Sequence, residues 1–247
     1  MFGWLKSSFE PSLPPGHRVY AVGDVHGRLD LFDRLIESIR QDNAARPAAE
    51  VTLILLGDLI DRGPDSSGVV DRARAGVPWA RTIAIMGNHE AVMLDVLDGK
   101  GDLLRNWLGF GGKAALRSWG VAESVLEGGS QEDILDAARR AVPAAARAWL
   151  GRMRPNLRMG DYYFVHAGIR PGVPLDKQID EDRLWIREDF LESKKKHGAM
   201  IVHGHSINTE VEERTNRIGL DTGAYASGRL TAIGLEGRER WFMATVD

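Results

Sequence analysis

The sequence predicts an α/β fold with a largely parallel sheet, and three observations carry that prediction. Between residues 18 and 97, short apolar runs alternate with stretches whose apolar residues recur at helical spacing. Five apolar runs along the chain lead into polar segments in which Gly flanks Asp, Asn or His. Residues 98–155 then read as helix and turn, and the strand-then-polar pattern resumes after them.

The elements follow in order. Residues 1–16 end in Pro14-Pro15-Gly16 and read as a leader. In it Phe2, Trp4, Leu5 and Phe9 are expected to pack on the domain rather than touch a membrane. Arg18–Val22 is a short strand. Leu29, Leu31, Phe32, Leu35, Ile36 and Ile39 place an amphipathic helix over Leu29–Asn43. Val51–Leu56 is continuously apolar, as a strand buried on both faces should be. Ser66–Ala75 is a helix closed by Gly76. Thr82–Met86 is the third strand and Glu90–Leu97 a short helix. Helices are expected over Asp102–Leu108, Lys113–Trp119 and Ser130–Leu150, separated by Gly111-Gly112 and Gly128-Gly129. They form an insertion at 98–155 in a single domain spanning 17–247, with Trp107, Trp119 and Trp149 pinning it. Tyr162–Val165 and Met200–Val202 are further strands. Glu210–Arg214, Arg217–Leu220, Arg229–Gly234 and Arg240–Thr245 suggest a closing antiparallel run.

Composition narrows the function. The net charge of −3 over 247 residues lacks the basic excess of a nucleic-acid binder. The absence of cysteine removes disulfides, thiolate metal sites and a cysteine nucleophile. No apolar run approaches the roughly 20 residues of a membrane span, and the start is a poor signal peptide. A cytoplasmic location is the expectation.

The five polar segments are Gly23-Asp24-Val25-His26-Gly27, Gly57-Asp58-Leu59-Ile60-Asp61-Arg62-Gly63, Gly87-Asn88-His89-Glu90, His166-Ala167-Gly168 and His203-Gly204-His205. Sites in α/β sheets gather at the carboxyl ends of strands. Five of the seven histidines lie in these segments, beside strand-end Asp24, Asp58 and Asn88. Oxygen and nitrogen donors in this mixture suit Mn, Fe, Zn or Co better than Mg or Ca. A single His after a strand is usually structural; five together argue for a metal site. Spacing does not choose between His203 and His205. His17 and His197 read as surface residues, and Lys194-Lys195-Lys196 as a solvated run. Gly109–Gly112 lacks the pattern of a phosphate loop and reads as a turn.

Taken together, GDxHG, GDxxDRG, GNHE, HAG and GH resemble the bacterial branch of the phosphoprotein phosphatase family, within the calcineurin-like metallophosphoesterases. The resemblance continues through Trp185-Ile186-Arg187-Glu188 and Asp221-Thr222-Gly223-Ala224, covering about 18–235. It implies an α/β/β/α sandwich of two mixed β-sheets flanked by helices. It implies that Asp24 and His26 hold one metal, that Asp58 bridges, and that Asn88, His166 and His205 complete the second. His203 then sits beside the site. Manganese is the expected ion, with Fe, Zn, Co and Ni compatible. His89 and Asp61 resemble the acid dyad, and Arg62 and Arg187 the phosphate clamps. Two divalent ions, two carboxylates and a bridging hydroxide leave one positive charge, which joins the two arginines against a phosphate dianion.

The activity so implied is hydrolysis of phosphoserine and phosphothreonine on proteins, with phosphotyrosine and aryl phosphates within range. The metal-bridging hydroxide would attack in line and His89 would protonate the leaving oxygen. The alternative is a symmetrical dinucleoside-polyphosphate hydrolase. Those enzymes resemble this chain but carry Ala-Arg-Gly and Asn-His-Asp where it has Asp61-Arg62-Gly63 and Asn88-His89-Glu90. A scaffold without activity is disfavoured, because every implied ligand and His89 are present. The insertion is expected to rim the site.

Overall fold

Strand β1 (His17–Val22) shows how the layers arise. Its side chains alternate. Tyr20 and Val22 join one apolar cluster, and Val19 and Ala21 join another on the opposite face. The computed structural model describes residues 10–245. Among these the remaining strands are β2 (Glu50–Leu55), β3 (Arg81–Ala84), β4 (Asn156–Met159), β5 (Tyr162–Val165), β6 (Met200–His203), β7 (Glu212–Glu213), β8 (Arg217–Gly219), β9 (Thr231–Glu236) and β10 (Glu239–Ala244). They form two five-stranded sheets, ordered β10-β9-β1-β2-β3 and β4-β5-β6-β8-β7.

Both sheets are mixed. β1–β2–β3 and β5–β6–β8 are parallel; β9, β10, β4 and β7 pair antiparallel. Between the sheets, Val19, Ile54, Leu56, Ile233 and Leu235 meet Tyr162, Phe164, Val202, Ile218 and Leu220. Beyond the first sheet lie α1 (Leu29–Ala44), α2 (Ser66–Ala75) and α3 (Asn88–Leu97). The insertion adds α4 (Leu104–Trp107), α5 (Lys113–Ser118), α6 (Glu123–Gly128), α7 (Gln131–Ala141) and α8 (Ala144–Leu150). Its Leu104, Trp107, Leu116, Ile134 and Leu150 share one apolar cluster with Leu35, Ile39 and Leu53, so the insertion has no separate core. Beyond the second sheet, α9 (Asp180–Trp185) and α10 (Glu188–Leu191) bring Ile186 and Phe190 against Tyr163, Val165 and Ile201. A last turn of helix, α11 (Ala224–Ser227), follows Gly223. The result is the two-sheet α/β/β/α sandwich.

Several boundaries differ from the sequence reading. The closing strands are not one antiparallel run. β7 and β8 end the second sheet, whereas β9 and β10 return to the first beside β1. Alternation gives each strand its apolar face but not its neighbour, and Ile218 and Ile233 face the same core from opposite sheets. The helix expected over Ser130–Leu150 breaks at Val142-Pro143. Val142 takes ψ 113, as steric conflict with a following proline demands. The turn expected at Gly109–Gly112 is present as a kink between α4 and α5, with Gly111 at φ 117.

Phe2, Trp4, Leu5 and Phe9 lie outside the described residues. Residues 12 and 13 pack down: the Leu13 N–H donates to Gly237 O at 2.8 Å, and Ser12 and Asp161 exchange hydrogen bonds. Among the described residues no helix is long and apolar enough to cross a membrane.

Candidate active site

The strand ends of both sheets deliver the polar segments to one place. β1 runs into Asp24, β2 into Asp58, β3 into Asn88, β5 into His166 and β6 into His205. Their loops are strained. Among the described residues, the non-glycine residues with positive φ are His26, Asp58, Asp61, Arg62 and His205. Such backbone is costly and persists where surrounding structure enforces it. Glu90 supplies part of that enforcement. Its buried carboxylate accepts from the N–H groups of Asp58 (2.9 Å), Leu59 (2.8 Å), Ile60 (3.2 Å) and Gly87 (3.1 Å). One side chain thus ties the second segment to the third.

Two trios gather within 4.8 Å, His26–Asp58–His89 and Asp58–His166–His205, with Asp58 common to both. The tautomers follow from carbonyl oxygens, which only accept. His26 Nδ1 donates to Ile60 O at 2.8 Å and His166 Nδ1 to Leu56 O at 2.9 Å. Each neutral ring therefore turns an Nε2 lone pair inward. His166 Nε2 lies 2.9 Å from Asn88 Oδ1 and 3.4 Å from Asp58 Oδ1, and His26 Nε2 lies 3.6 Å from Asp58 Oδ2. His205 Nδ1 approaches Asn88 Oδ1 at 3.0 Å. Lone pairs and carboxylate oxygens so converged repel one another unless cations lie among them. Buried Asp24 Oδ1 and His205 Nε2 have no hydrogen-bond partner at all. The donor set fits divalent ions bound by nitrogen and oxygen.

Electrostatics agree. Burial pushes His26 down to about 3 and His205 down to about 2, so both rings are neutral and free to ligate. Burial also opposes ionisation of Asp58, but the charge that His166, His89, His26 and His205 carry when protonated outweighs it and holds its carboxyl well below the usual range. Asp24 stands outside the two trios. Its Oδ2 accepts from the His205 N–H at 2.9 Å. Burial, then Asp221 and Asp58, raise its carboxyl above the ordinary range.

His89, a member of the first trio, turns its other nitrogen away from it: Nδ1 donates to Asp61 Oδ2 at 2.6 Å. Burial opposes charge on His89, yet Asp58 and Asp61 outweigh it and raise its pKa. Arg62 lies across His26 and His89, with guanidinium nitrogens 2.9 Å and 3.1 Å from their Nε2 atoms. Arg187 is exposed, near enough for its charge to disfavour protonation of His166 and His205. Arg62 thus stands at the first trio, and the charge of Arg187 is felt at the second.

The remaining histidines lie elsewhere. His203 is fully buried against Phe190, ring centroids 5.1 Å apart, outside both trios. His17 is 3.7 Å from Glu50, and His197 is half-buried beside Asn216 rather than free on the surface. Asp221 went unassigned in the sequence, although it lies in the quoted Asp221-Thr222-Gly223-Ala224 run. Burial pushes it up to about 6, beside Asp24, so a third carboxylate joins the two in the sequence's charge count. Tyr225 was also missed. Its ring stands edge-on to His26 at 5.5 Å, beneath the Arg62 guanidinium at 4.8 Å.

The profile of the calcineurin-like phosphoesterase family matches residues 17–230. The chain belongs to this family. Calcineurin-like phosphoesterases bind two divalent metals, and the two trios sharing Asp58 are the candidate ligand groups here. The protein is similar to serine/threonine-protein phosphatase 1 of Salmonella typhimurium, 29% identical over 220 residues, 86% of this chain and 89% of the relative. It is also similar to the symmetrical bis(5′-nucleosyl)-tetraphosphatase of Nitrosospira multiformis, 28% identical over 159 residues, 64% of this chain. The chain spans about half the length of that second relative, 46% of it. A solved structure described as a putative diadenosine tetraphosphatase superposes with a TM-score of 0.63 at 21% identity, covering 96% of this chain and 98% of that one. At that identity the likeness speaks for the fold.

Proposed function

We propose that this calcineurin-like phosphoesterase is a phosphomonoesterase acting on phosphoserine and phosphothreonine in proteins, with phosphotyrosine and aryl phosphates as further substrates. The observation that carries the reading is the buried 2.6 Å hydrogen bond between His89 and Asp61. An alkoxide is a poor leaving group and departs well only when protonated. A positioned imidazole whose other nitrogen is held by a carboxylate is suited to that task. A nucleotide leaves far more readily, so a dinucleotide hydrolase has less need of the dyad.

The residues divide the work. Asp24, His26, Asp58, Asn88, His166 and His205 hold the ions, which when bound supply hydroxide near neutral pH and stabilise an in-line displacement. Arg62 and Arg187 clamp the phosphoryl oxygens, as paired guanidinium groups do. Asp61 orients His89, and His89 gives its proton to the departing oxygen. An open cleft bordered by Ser206, Ile207 and Asn208 begins at Arg187.

The second reading is symmetrical hydrolysis of dinucleoside polyphosphates. The named relative favours it. Restoring Mn to metal-free protein and comparing a phosphoserine peptide, a phosphotyrosine peptide and a dinucleoside tetraphosphate tests the choice. The phosphoserine peptide should turn over with the highest kcat/KM. A preference for the dinucleotide would overturn the proposal.

A further inference from the structure

The acid dyad has a third member, supplied by the helical insertion. Trp107, at the end of α4, is 1% exposed, and its indole N–H donates to Asp61 Oδ2 at 2.9 Å. That oxygen is the one that accepts from His89, while buried Asp61 Oδ1 has no partner. The indole N–H and the imidazole thus fix the same carboxylate oxygen. Trp107 is itself held from below, since a Cβ at Gly112 would lie 2.7 Å from its indole carbons. The turn that brings Gly112 there also touches the next residue of the dyad segment. The Arg62 N–H donates to Gly111 O at 3.3 Å, and a Cβ on Gly111 would lie 2.6 Å from Arg62 N.

We infer that Trp107 is a positioning residue for the leaving-group step, acting through Asp61 on His89. The inference rests on His89 being the general acid. A buried carboxylate with a single donor can rotate. A second donor on the same oxygen fixes the direction in which the imidazole presents its remaining nitrogen. The insertion is then a working part of the acid rather than only a rim. Its contribution should grow with the need to protonate the leaving group. A residue that merely filled the core would affect all substrates alike.

The test compares two monoesters on Mn-restored full-length protein. A phosphoserine peptide needs its leaving oxygen protonated; 2,4-dinitrophenyl phosphate does not. Trp107→Phe removes the N–H and keeps an aromatic ring. Gly112→Ala keeps the N–H but pushes the indole aside. Each should lower kcat on the phosphopeptide about tenfold, the order expected for losing one hydrogen bond to a charged group. Each should leave KM and the dinitrophenyl rate within about twofold. His89→Ala, measured alongside, should show a larger split of the same kind. If His89→Ala shows no split, the general-acid reading itself falls, and this inference with it. If His89→Ala shows the split while Trp107→Phe and Gly112→Ala slow both substrates equally, or neither, Trp107 is structural and only this inference is overturned.

Discussion

Replacing Glu90 by Gln should cost the fold several kcal/mol, although one atom changes identity and the volume hardly changes. Glu90 Oε2 accepts from the N–H groups of Asp58 and Gly87, and Oε1 from those of Leu59 and Ile60. A glutamine offers one carbonyl oxygen and one NH₂. Whichever way the amide is turned, two of the four buried N–H groups face another donor. Each buried donor left without a partner costs about 1–3 kcal/mol, which gives about 2–6 kcal/mol for the pair. A chain of this size loses about 2–4 °C of Tm per kcal/mol. Thermal and urea unfolding of metal-free protein measures the effect without ligand stabilisation, which would mask it. The Asp58 loop should also hold metal more weakly, because two of the four bonds fix Asp58 and Gly87. A Tm within about 1 °C of wild type would refute the claim that Glu90 is the tie between the second and third segments.

Other changes probe other links. His89→Ala should lower kcat on a phosphoserine peptide by about 10²–10⁴-fold, the loss of a general acid; unchanged turnover would remove His89 from the mechanism. Gly204→Ala would drive a Cβ into Asp24 Oδ1. Mn affinity, read by calorimetric titration, should fall about 10–100-fold, as when a ligand's support is lost, and an unaltered affinity would count against Asp24 as a ligand. At Asp42, burial opposes the charge, but donors from Arg46, Tyr20 and Trp241 outweigh it and hold the carboxyl below its ordinary range. Such a group stabilises the fold above its unfolded value of about 3.9 and loses that contribution as pH falls through the lower folded value. Wild type should therefore lose more stability than Asp42→Asn in urea titrations between pH 6 and pH 2.5, and parallel losses would contradict the assignment.

The legible parts of the fold are those with local causes. α2 is an example: Asp65 accepts from the Gly68 N–H at 2.7 Å to start it, and Gly76 at φ 67 stops it. The strand ends were legible because short polar residues and glycine are what strained, converging loops require. Two features had local signals that the helical period obscured, the break at Pro143 and the separate α6 before Gly129. Strand partners had no local signal, because β8 and β9 carry similar apolar faces yet belong to different sheets. In the site, the same division holds. The polar segments announce themselves one by one, whereas Trp107 reaches Asp61 from 46 residues away and nothing near it marks the contact. Asp221 and Tyr225 come to Asp24 and His26 only through the crossing between sheets. The Glu90 position was visible as a motif letter. Its chemistry, a carboxylate turned away from substrate onto four backbone donors, is visible only in three dimensions.

The central claim is that the inward lone pairs and carboxylates around Asp58 hold two divalent ions. Elemental analysis of Mn-equilibrated, desalted protein tests it most directly. Wild type should retain two ions per chain, and Asp58→Ala, which removes the residue common to both trios, should retain fewer than one. A single ion in wild type, or two ions in Asp58→Ala, would contradict the account.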